Sequence, residues 1–371
     1  MILVVSMIGE IRATLLLLII LCSLVVVFPN VGIVKAAGDY WTNLAPLPES
    51  VSRTRGAAAI DGKIYVIGWP TCEKYDPETN NWTTIASVPV STSGAVVAYQ
   101  NKIYLIGGNP TQVYDPVTDT WENRTSIPTT RSSLQANVVD GKIYLIGGQM
   151  PAGLYQIFPS SSNDVYDPET DSWSQMAPIP VPVMGYASAV LDDKIYIISG
   201  AHEGQPNYPP PTDLVQIFDP ATNQWTNGTS IPTGVISARA VTTTGVFAPK
   251  RIYVIGGTTT SYPRSATYNV IDLNQVYYPE ADTWTTGTPM LTPRCSFAVA
   301  VVNDEIYAIG GVKEENYQMI VNEKYTPADY IPEFPSWVVL PLVIATILMI
   351  LIYKKRLPKN RNQKKSFILG A

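Results

Sequence analysis

The sequence predicts an all-β fold, a six-bladed β-propeller with four-stranded blades, followed by one transmembrane helix. Three observations carry this expectation. A short apolar strand with Ile-Tyr at its centre and Gly at its end recurs six times, with its Tyr at Tyr65, Tyr104, Tyr144, Tyr196, Tyr253 and Tyr307. After five of these strands comes an aromatic residue with a Trp seven positions on: Tyr75 and Trp82, Tyr114 and Trp121, Tyr166 and Trp173, Phe218 and Trp225, Tyr277 and Trp284. The 371 residues are rich in Tyr (22), Trp (8), Gly (25) and Pro (31) and only 15% charged, as in chains of short strands bounded by turn formers.

Each repeat reads as four strands, A to D from the centre outward. Strand A is an apolar run such as Ala57 to Ile60 or Phe297 to Val302, joined by an Asp-Gly or Asn-Asp turn to the Gly-ended strand B. Strand C closes on Tyr-Asp-Pro, a turn signal, and strand D carries the Trp. The Tyr spacings of 39 to 57 residues suit a four-stranded blade with loops of variable length. The sixth repeat reaches Tyr325, but seven positions beyond it stands Pro332 and not Trp. Trp41 to Pro48 has the same form as Trp173 to Pro180, so an N-terminal strand is expected to complete the sixth blade. Such closure removes an exposed sheet edge.

The diglycines, the Tyr-Asp-Pro, the Trp and the Arg before strand A (Arg131, Arg294) together resemble the kelch repeat, over about Asp39 to Pro327. Departures are modest: Trp69 replaces a second Gly, Ser199 a first, and Tyr278 the Asp of Tyr-Asp-Pro. The repeated residues read as builders, with Gly allowing close backbone approach and Tyr and Trp filling the wedges between blades. The resemblance implies a partner-binding face.

The ends differ from the middle. Ala13 to Phe28 is an uncharged apolar run after Arg12, with small residues for cleavage at Ala36-Ala37; it reads as a signal peptide, with an uncleaved anchor as the alternative. Leu21 before Cys22 disfavours lipidation. Trp337 to Tyr353 is a 17-residue apolar run followed by seven Lys or Arg and no acid, the pattern of a span with a cytoplasmic C-terminus. The expected order is a signal peptide (1–37), the propeller (38–327), a linker (328–336), a transmembrane helix (337–353) and a basic cytoplasmic tail (354–371). The propeller would then be extracellular at the cell membrane, with its short-turn face toward the lipid. Pro332-Glu-Phe334, the span and the basic tail together resemble the C-terminal sorting signals of archaeal surface proteins. The length of the tail favours a permanent anchor.

Function should lie in what is not repeated. The loops joining strands B and C lengthen from the third blade on, at Gln149 to Asp164, Ala201 to Asp213, Thr258 to Asn274 and Val312 to Val321. They carry the ligand-binding candidates Tyr155, His202, Glu203, Tyr208, Tyr262, Arg264 and Tyr268. Arg53, Arg55, Arg131, Arg239 and Arg294 are expected near the central channel on the same face. For each loop aromatic, pinning its own loop is the competing reading, and His202 reads as an ordinary loop residue. The mixture suits protein or carbohydrate recognition. Asn81, Asn123 and Asn227 head glycosylation sequons on or beside the outer strands, although the repeat itself favours such matches. Cys72 and Cys295 are weighed as a disulfide across the closure seam, and their different distances from the axis argue against it.

Charge and composition exclude several classes. From Gly38 to Ser336 the net charge is −13, which disfavours nucleic acid. One His and three Cys are too few for zinc or copper chemistry, including that of galactose-oxidase-like kelch enzymes, so no metal or cofactor is expected. Sialidase Asp boxes and a phosphate-binding Gly loop are absent. The expectation is a binding or adhesion module and not an enzyme. The alternative, implied by the resemblance, is a sugar mutarotase or epimerase in which Glu203 and a channel Arg act as acid and base.

Overall fold

The computed structural model describes residues 38–48, 55–92, 94–150, 158–202, 211–260, 269–314 and 317–331. They form strands, turns and loops, arranged as six four-stranded antiparallel blades. Blade 1 runs Gly56–Ile60, Lys63–Ile67, Cys72–Asp76 and Asn81–Ile85 as strands A to D, and blade 2 runs Ala95–Tyr99, Lys102–Ile106, Thr111–Asp115 and Thr120–Arg124. Blade 3 is Ala136–Val139, Lys142–Ile146, Asn163–Asp167 and Ser172–Gln175; blade 4 is Ala187–Leu191, Lys194–Ile198, Val215–Asp219 and Gln224–Asn227. Blade 5 is Arg239–Thr242, Ile252–Ile255, Asn274–Tyr278 and Thr283–Gly287. In blade 6, Ala298–Val302, Glu305–Ile309 and Asn322–Thr326 are joined by Tyr40–Asn43, with Trp41 opposite Tyr325. The N-terminal strand thus closes the ring as expected. The proposed signal peptide, membrane span and basic tail lie outside the described residues.

Strand B is a continuous apolar run because blades bury both of its faces. Ile64, Ile103, Ile143, Ile195, Ile252 and Ile306 are all fully buried. The strand B Tyr of each blade meets the strand C aromatic of the next, in pairs Tyr65–Tyr114, Tyr104–Tyr166, Tyr144–Phe218, Tyr196–Tyr277, Tyr253–Tyr325 and Tyr307–Tyr75, with centroids 5.6 to 6.2 Å apart. Each strand C aromatic also packs on the Trp of its own blade at 4.8 to 5.2 Å. Edge and tilted ring pairs of this kind add stability beyond the area they bury.

A polar clamp repeats at every seam. The residue two before each Trp is Asp or Asn, and its side chain accepts the N–H of a residue in the connector leaving the preceding blade. The Trp Nε1 donates to the carbonyl of that same connector residue. Asn80 and Trp82 thus hold Ala45 (2.8 and 3.0 Å), Asp119 and Trp121 hold Ala86 (2.8 and 2.8 Å), and Asp171 and Trp173 hold Thr125 (2.9 and 3.0 Å). Asn223 and Trp225 hold Ala177 (2.8 and 3.0 Å), and Asp282 and Trp284 hold Thr229. At closure Asp39 and Trp41 hold Thr288 (2.6 and 2.9 Å). In every blade but the fourth, where Phe218 has no hydroxyl, the strand C Tyr donates to the same Asp or Asn. Asn80, Asp119, Asp171, Asn223 and Asp282 take φ of 48 to 54°, a left-handed conformation that Asn and Asp tolerate.

One connection departs from the expected short turns. Blade 5 joins strands A and B through a nine-residue loop, Thr243 to Arg251. The buried Asp304 carboxylate accepts the N–H groups of Val246 (3.0 Å), Phe247 (2.7 Å) and Ala248 (3.0 Å) and pins this loop to blade 6.

Two outcomes follow. Trp41→Ala removes a buried indole, a ring pair and one arm of the closing clamp, and should destabilise the protein by about 3–5 kcal/mol. Trp173→Ala, at a half-exposed site, should lower the urea midpoint less; the reverse order would show that the N-terminal strand does not close the ring. The second outcome concerns acid. The Ala86 N–H and the Tyr114 hydroxyl hold Asp119 below the usual carboxylate value, and the Tyr277 hydroxyl and Thr229 do the same for Asp282. Burial pushes Asp39 and Asp171 up, but their hydrogen bonds outweigh it and leave both lowered. Groups depressed in the folded state contribute stability that is complete above about pH 4 and lost as pH falls through their folded values. Asp119→Asn, Asp171→Asn and Asp282→Asn together, which copy blades 1 and 4, should flatten the loss of stability below pH 4 in urea titrations while leaving neutral-pH stability nearly unchanged.

Candidate functional site at the channel mouth

The face carrying the B–C loops is irregular where the rim is regular. In blades 1 and 2 these connections are short, each with a cis X-Pro bond, at Trp69-Pro70 and Asn109-Pro110. In blades 3 to 6 they are long, as expected. Their first residues pair with the connector that enters strand A of the same blade: Gln149 with Ser132, Ala201 with Met184, Thr258 with Ile236 and Val312 with Cys295. These connectors are also joined to one another. The N–H of Gly185 donates to Ser133, that of Ser237 to Gly185 and that of Ser296 to Ser237, at 2.8, 2.6 and 2.9 Å. All four residues have φ between 52 and 61°. A hydrogen-bonded collar therefore runs around two thirds of the channel mouth, under the long loops. Sequence reasoning missed it; the signal was a small Ser or Gly at one repeat position.

Diglycine geometry supports the collar. A Cβ at Gly148 would come within 2.9 Å of both Leu134 Cβ and the Ser132 carbonyl, so a side chain there displaces the connector. Ser199 stands at the first diglycine position, at φ 60°, and its hydroxyl accepts the Val235 N–H at 2.7 Å.

The channel arginines divide into two groups. Arg131 and Arg294 are completely buried and do not face a ligand, which corrects the expectation for both. The Arg131 guanidinium pairs with Asp164 at 2.6 Å and donates to the Leu145 carbonyl at 3.1 Å. Arg294 pairs with Glu323 at 2.8 Å and donates to the carbonyls of Thr292 (2.8 Å) and Ala308 (2.9 Å). Burial pulls both guanidinium pKa values down and the carboxylates oppose it, so each charge is kept by its partner. At the equivalent positions, blades 2, 4 and 5 have Ser91, Val183 and Val235, and the acid becomes Gln112, Gln216 and Gln275. Each Gln spans the N–H and C=O of one connector residue, Val90, Val181 or Thr233, at 2.8 to 3.0 Å. Arg with acid and small residue with Gln are two solutions to the same joint. In blade 1 the acid is the buried Glu73, which accepts the Thr84 hydroxyl at 3.1 Å.

Arg55 and Arg239 do reach the mouth. With Gln135 and the small apolar residues Ala57, Ala136 and Val299 they line a recess of about 60 Å³ at the start of the A strands. Arg55 Nη2 donates to Ser91 Oγ at 3.1 Å, and Arg239 Nε to the Phe297 carbonyl at 2.8 Å. Gln135 Nε2 donates to the Tyr186 carbonyl at 2.8 Å. Among the described residues the lining includes two arginines and no acidic side chain.

The remaining candidates separate. His202 lies half-buried in the two-residue ladder with Val183. Arg53, Tyr155, Glu203, Tyr208, Tyr262, Arg264 and Tyr268 lie outside the described residues. Asn81, Asn123 and Asn227 are all exposed on D strands. Cys72 and Cys295 form no disulfide: both are buried free thiols, Cys72 against the Gly68 carbonyl and Cys295 within the blade 6 connector. Burial pushes both thiols up, Cys295 to about 11. Among the described residues no group of three His, Cys, Asp or Glu side chains is placed to hold a metal ion.

Comparison with known proteins agrees with this architecture. The KLHDC2/KLHL20/DRC7 Kelch-repeats domain matches residues 57–257 and the Kelch motif residues 293–325. The chain is 28% identical to Kelch-like protein terF of Aspergillus terreus over 51% of its own length and 41% of that protein. It is 30% identical to Beta-scruin of Limulus polyphemus over 53% and 21%, and 27% identical to Kelch repeat and BTB domain-containing protein 12 of Homo sapiens over 52% and 31%. The matches thus span less than half of each of these relatives. The solved structure of YjhT superposes with a TM-score of 0.63 at 16% identity, covering 76% of this chain and 96% of that one, and shows the shared fold. With a family domain matching more than half of its length, the chain belongs to the kelch-repeat β-propeller family.

Proposed function

We propose that this protein is a membrane-anchored binding module that captures a partner protein through an acidic segment seated at the channel mouth. The observation that carries the reading is the recess where Arg55 and Arg239 converge at the start of the A strands. The hydrogen-bonded collar of Ser133, Gly185, Ser237 and Ser296 lies at the roots of the long B–C connections of blades 3 to 6, so a partner would meet a rigid base. Kelch propellers generally bind proteins, which supports the same reading. The anchor is the apolar run from Trp337 to Tyr353 with its basic flank, and it puts the propeller outside the cell. Tyr40 and Thr326 pair at the end of blade 6 away from the long loops, so an anchor leaving from there would turn the channel mouth away from the lipid.

Peptides selected from a random displayed library on the full-length protein should be enriched in Asp and Glu. The double variant Arg55→Ala, Arg239→Ala should bind them about 10- to 100-fold more weakly, as expected for loss of charge-assisted hydrogen bonds. Selected peptides without acidic residues, or binding indifferent to the double change, would refute the site. Anchoring is a separate measurement: the protein should stay with membranes through alkaline carbonate extraction, and release into the supernatant would remove the anchor.

A further inference from the structure

Four blades join the first residue of strand B to the last residue of strand C by an ion pair: Lys63–Asp76, Lys102–Asp115, Lys142–Asp167 and Lys194–Asp219, at 2.7 to 3.7 Å. Blade 5 has Arg251 and Tyr278 instead, and the guanidinium lies over the Tyr278 ring, 4.2 Å from its centroid. Three residues beyond its Trp, where blades 1 to 3 carry Ile85, Arg124 and Met176, blade 5 has Gly287, as blade 4 has Gly228. A Cβ there would come within 2.9 Å of Asn274 Nδ2 and 3.0 Å of both Asp39 Oδ2 and the Tyr325 hydroxyl. These departures from the repeat converge on one place. Between blades 5 and 6, on the outer rim, they open a cavity of about 150 Å³.

Its polar groups carry both signs. Arg251 enters from one side, with its charge balanced by Glu280 at 2.7 Å, and the carboxylates of Asp39 and Asp329 lie on the other. The Tyr253 side chain is 3% exposed and lines the cavity, and its hydroxyl makes no hydrogen bond among the described residues. An anionic ligand would meet the carboxylates of Asp39 and Asp329, and a bare cation would offer no acceptor to Arg251 or to the Tyr253 hydroxyl. A neutral ligand rich in hydroxyls can donate to the carboxylates and accept from Arg251 and Tyr253, while its C–H face rests on a Tyr ring. A cavity of about 150 Å³ holds one six-membered ring.

We propose that the seam between blades 5 and 6 is a binding site for a single neutral sugar ring, separate from the channel mouth. The site does not depend on the acidic-partner reading, because it shares no residue with the recess of Arg55 and Arg239.

The test is ligand-detected saturation-transfer NMR on the full-length protein in detergent, with glucose, galactose, mannose and N-acetylglucosamine as probes and glucosamine and glucuronate as charged counterparts. At least one neutral sugar should bind, with a dissociation constant on the order of millimolar for a ligand of this size. Tyr253→Phe, which removes one hydroxyl, should weaken it roughly fivefold. Arg251→Lys with Tyr278→Asp installs the ion pair on which four other blades fold, and should abolish binding, whereas Arg55→Ala with Arg239→Ala should leave it unchanged. The proposal is overturned if no neutral sugar binds, if a charged counterpart binds more tightly, or if the ion-pair variant binds as the wild type does.

Discussion

Each blade of this propeller grips the one before it by a single connector residue, taking its N–H with an Asp or Asn carboxyl or amide oxygen and its C=O with a Trp indole. The rest of the architecture depends on this contact. A connector passing over the rim between two sheets has backbone groups that no ladder can satisfy, and leaving them unpaired in a closely packed seam is unfavourable. The clamp satisfies both at once, and the aromatic pairs beneath it fill the wedge. Because Asp39 and Trp41 reproduce the motif from the N-terminal strand, the closing seam is built like the other five.

A second repeated joint lies nearer the axis, where strand C meets the connector entering strand A. Arg131 with Asp164 and Arg294 with Glu323 form it as buried ion pairs, and Gln112, Gln216 and Gln275 form it with a neutral amide. A buried pair is stable only when both charges are present and their remaining donors are satisfied. That explains why each Arg also finds backbone carbonyls and why the acid is replaced by Gln in blades 2, 4 and 5, where the Arg is missing. The two forms are equivalent in the fold, so the arginines at these positions belong to the frame.

With these joints occupying the repeated polar residues, the irregular ones stand out. They gather at the channel mouth, where Arg55 and Arg239 converge, and at the seam between blades 5 and 6, where Arg251 and Tyr278 replace the usual ion pair. Both places combine rigid surroundings with exposed polar groups, the arrangement that makes a binding site selective. The two differ in chemistry, since the described lining of one holds two arginines and that of the other holds both signs of charge, and so they suit different ligands.

The sequence by itself determined the strand count, the blade order, the closing strand and the face that carries long loops. All of these follow from local patterns: period-two burial, turn chemistry, and the fixed interval between Tyr and Trp. The Asp or Asn two before each Trp was equally visible as a pattern, but its partner lies in the preceding blade, some 33 to 53 residues back along most of the chain and across both ends at closure. What each arginine does was decided only by tertiary structure. Arg55 and Arg131 both precede a strand A, yet in the strand register one lies three residues nearer than the other. That offset turns Arg55 toward the channel, whereas Arg131 is directed into its blade to meet an acid that only the folded register brings opposite.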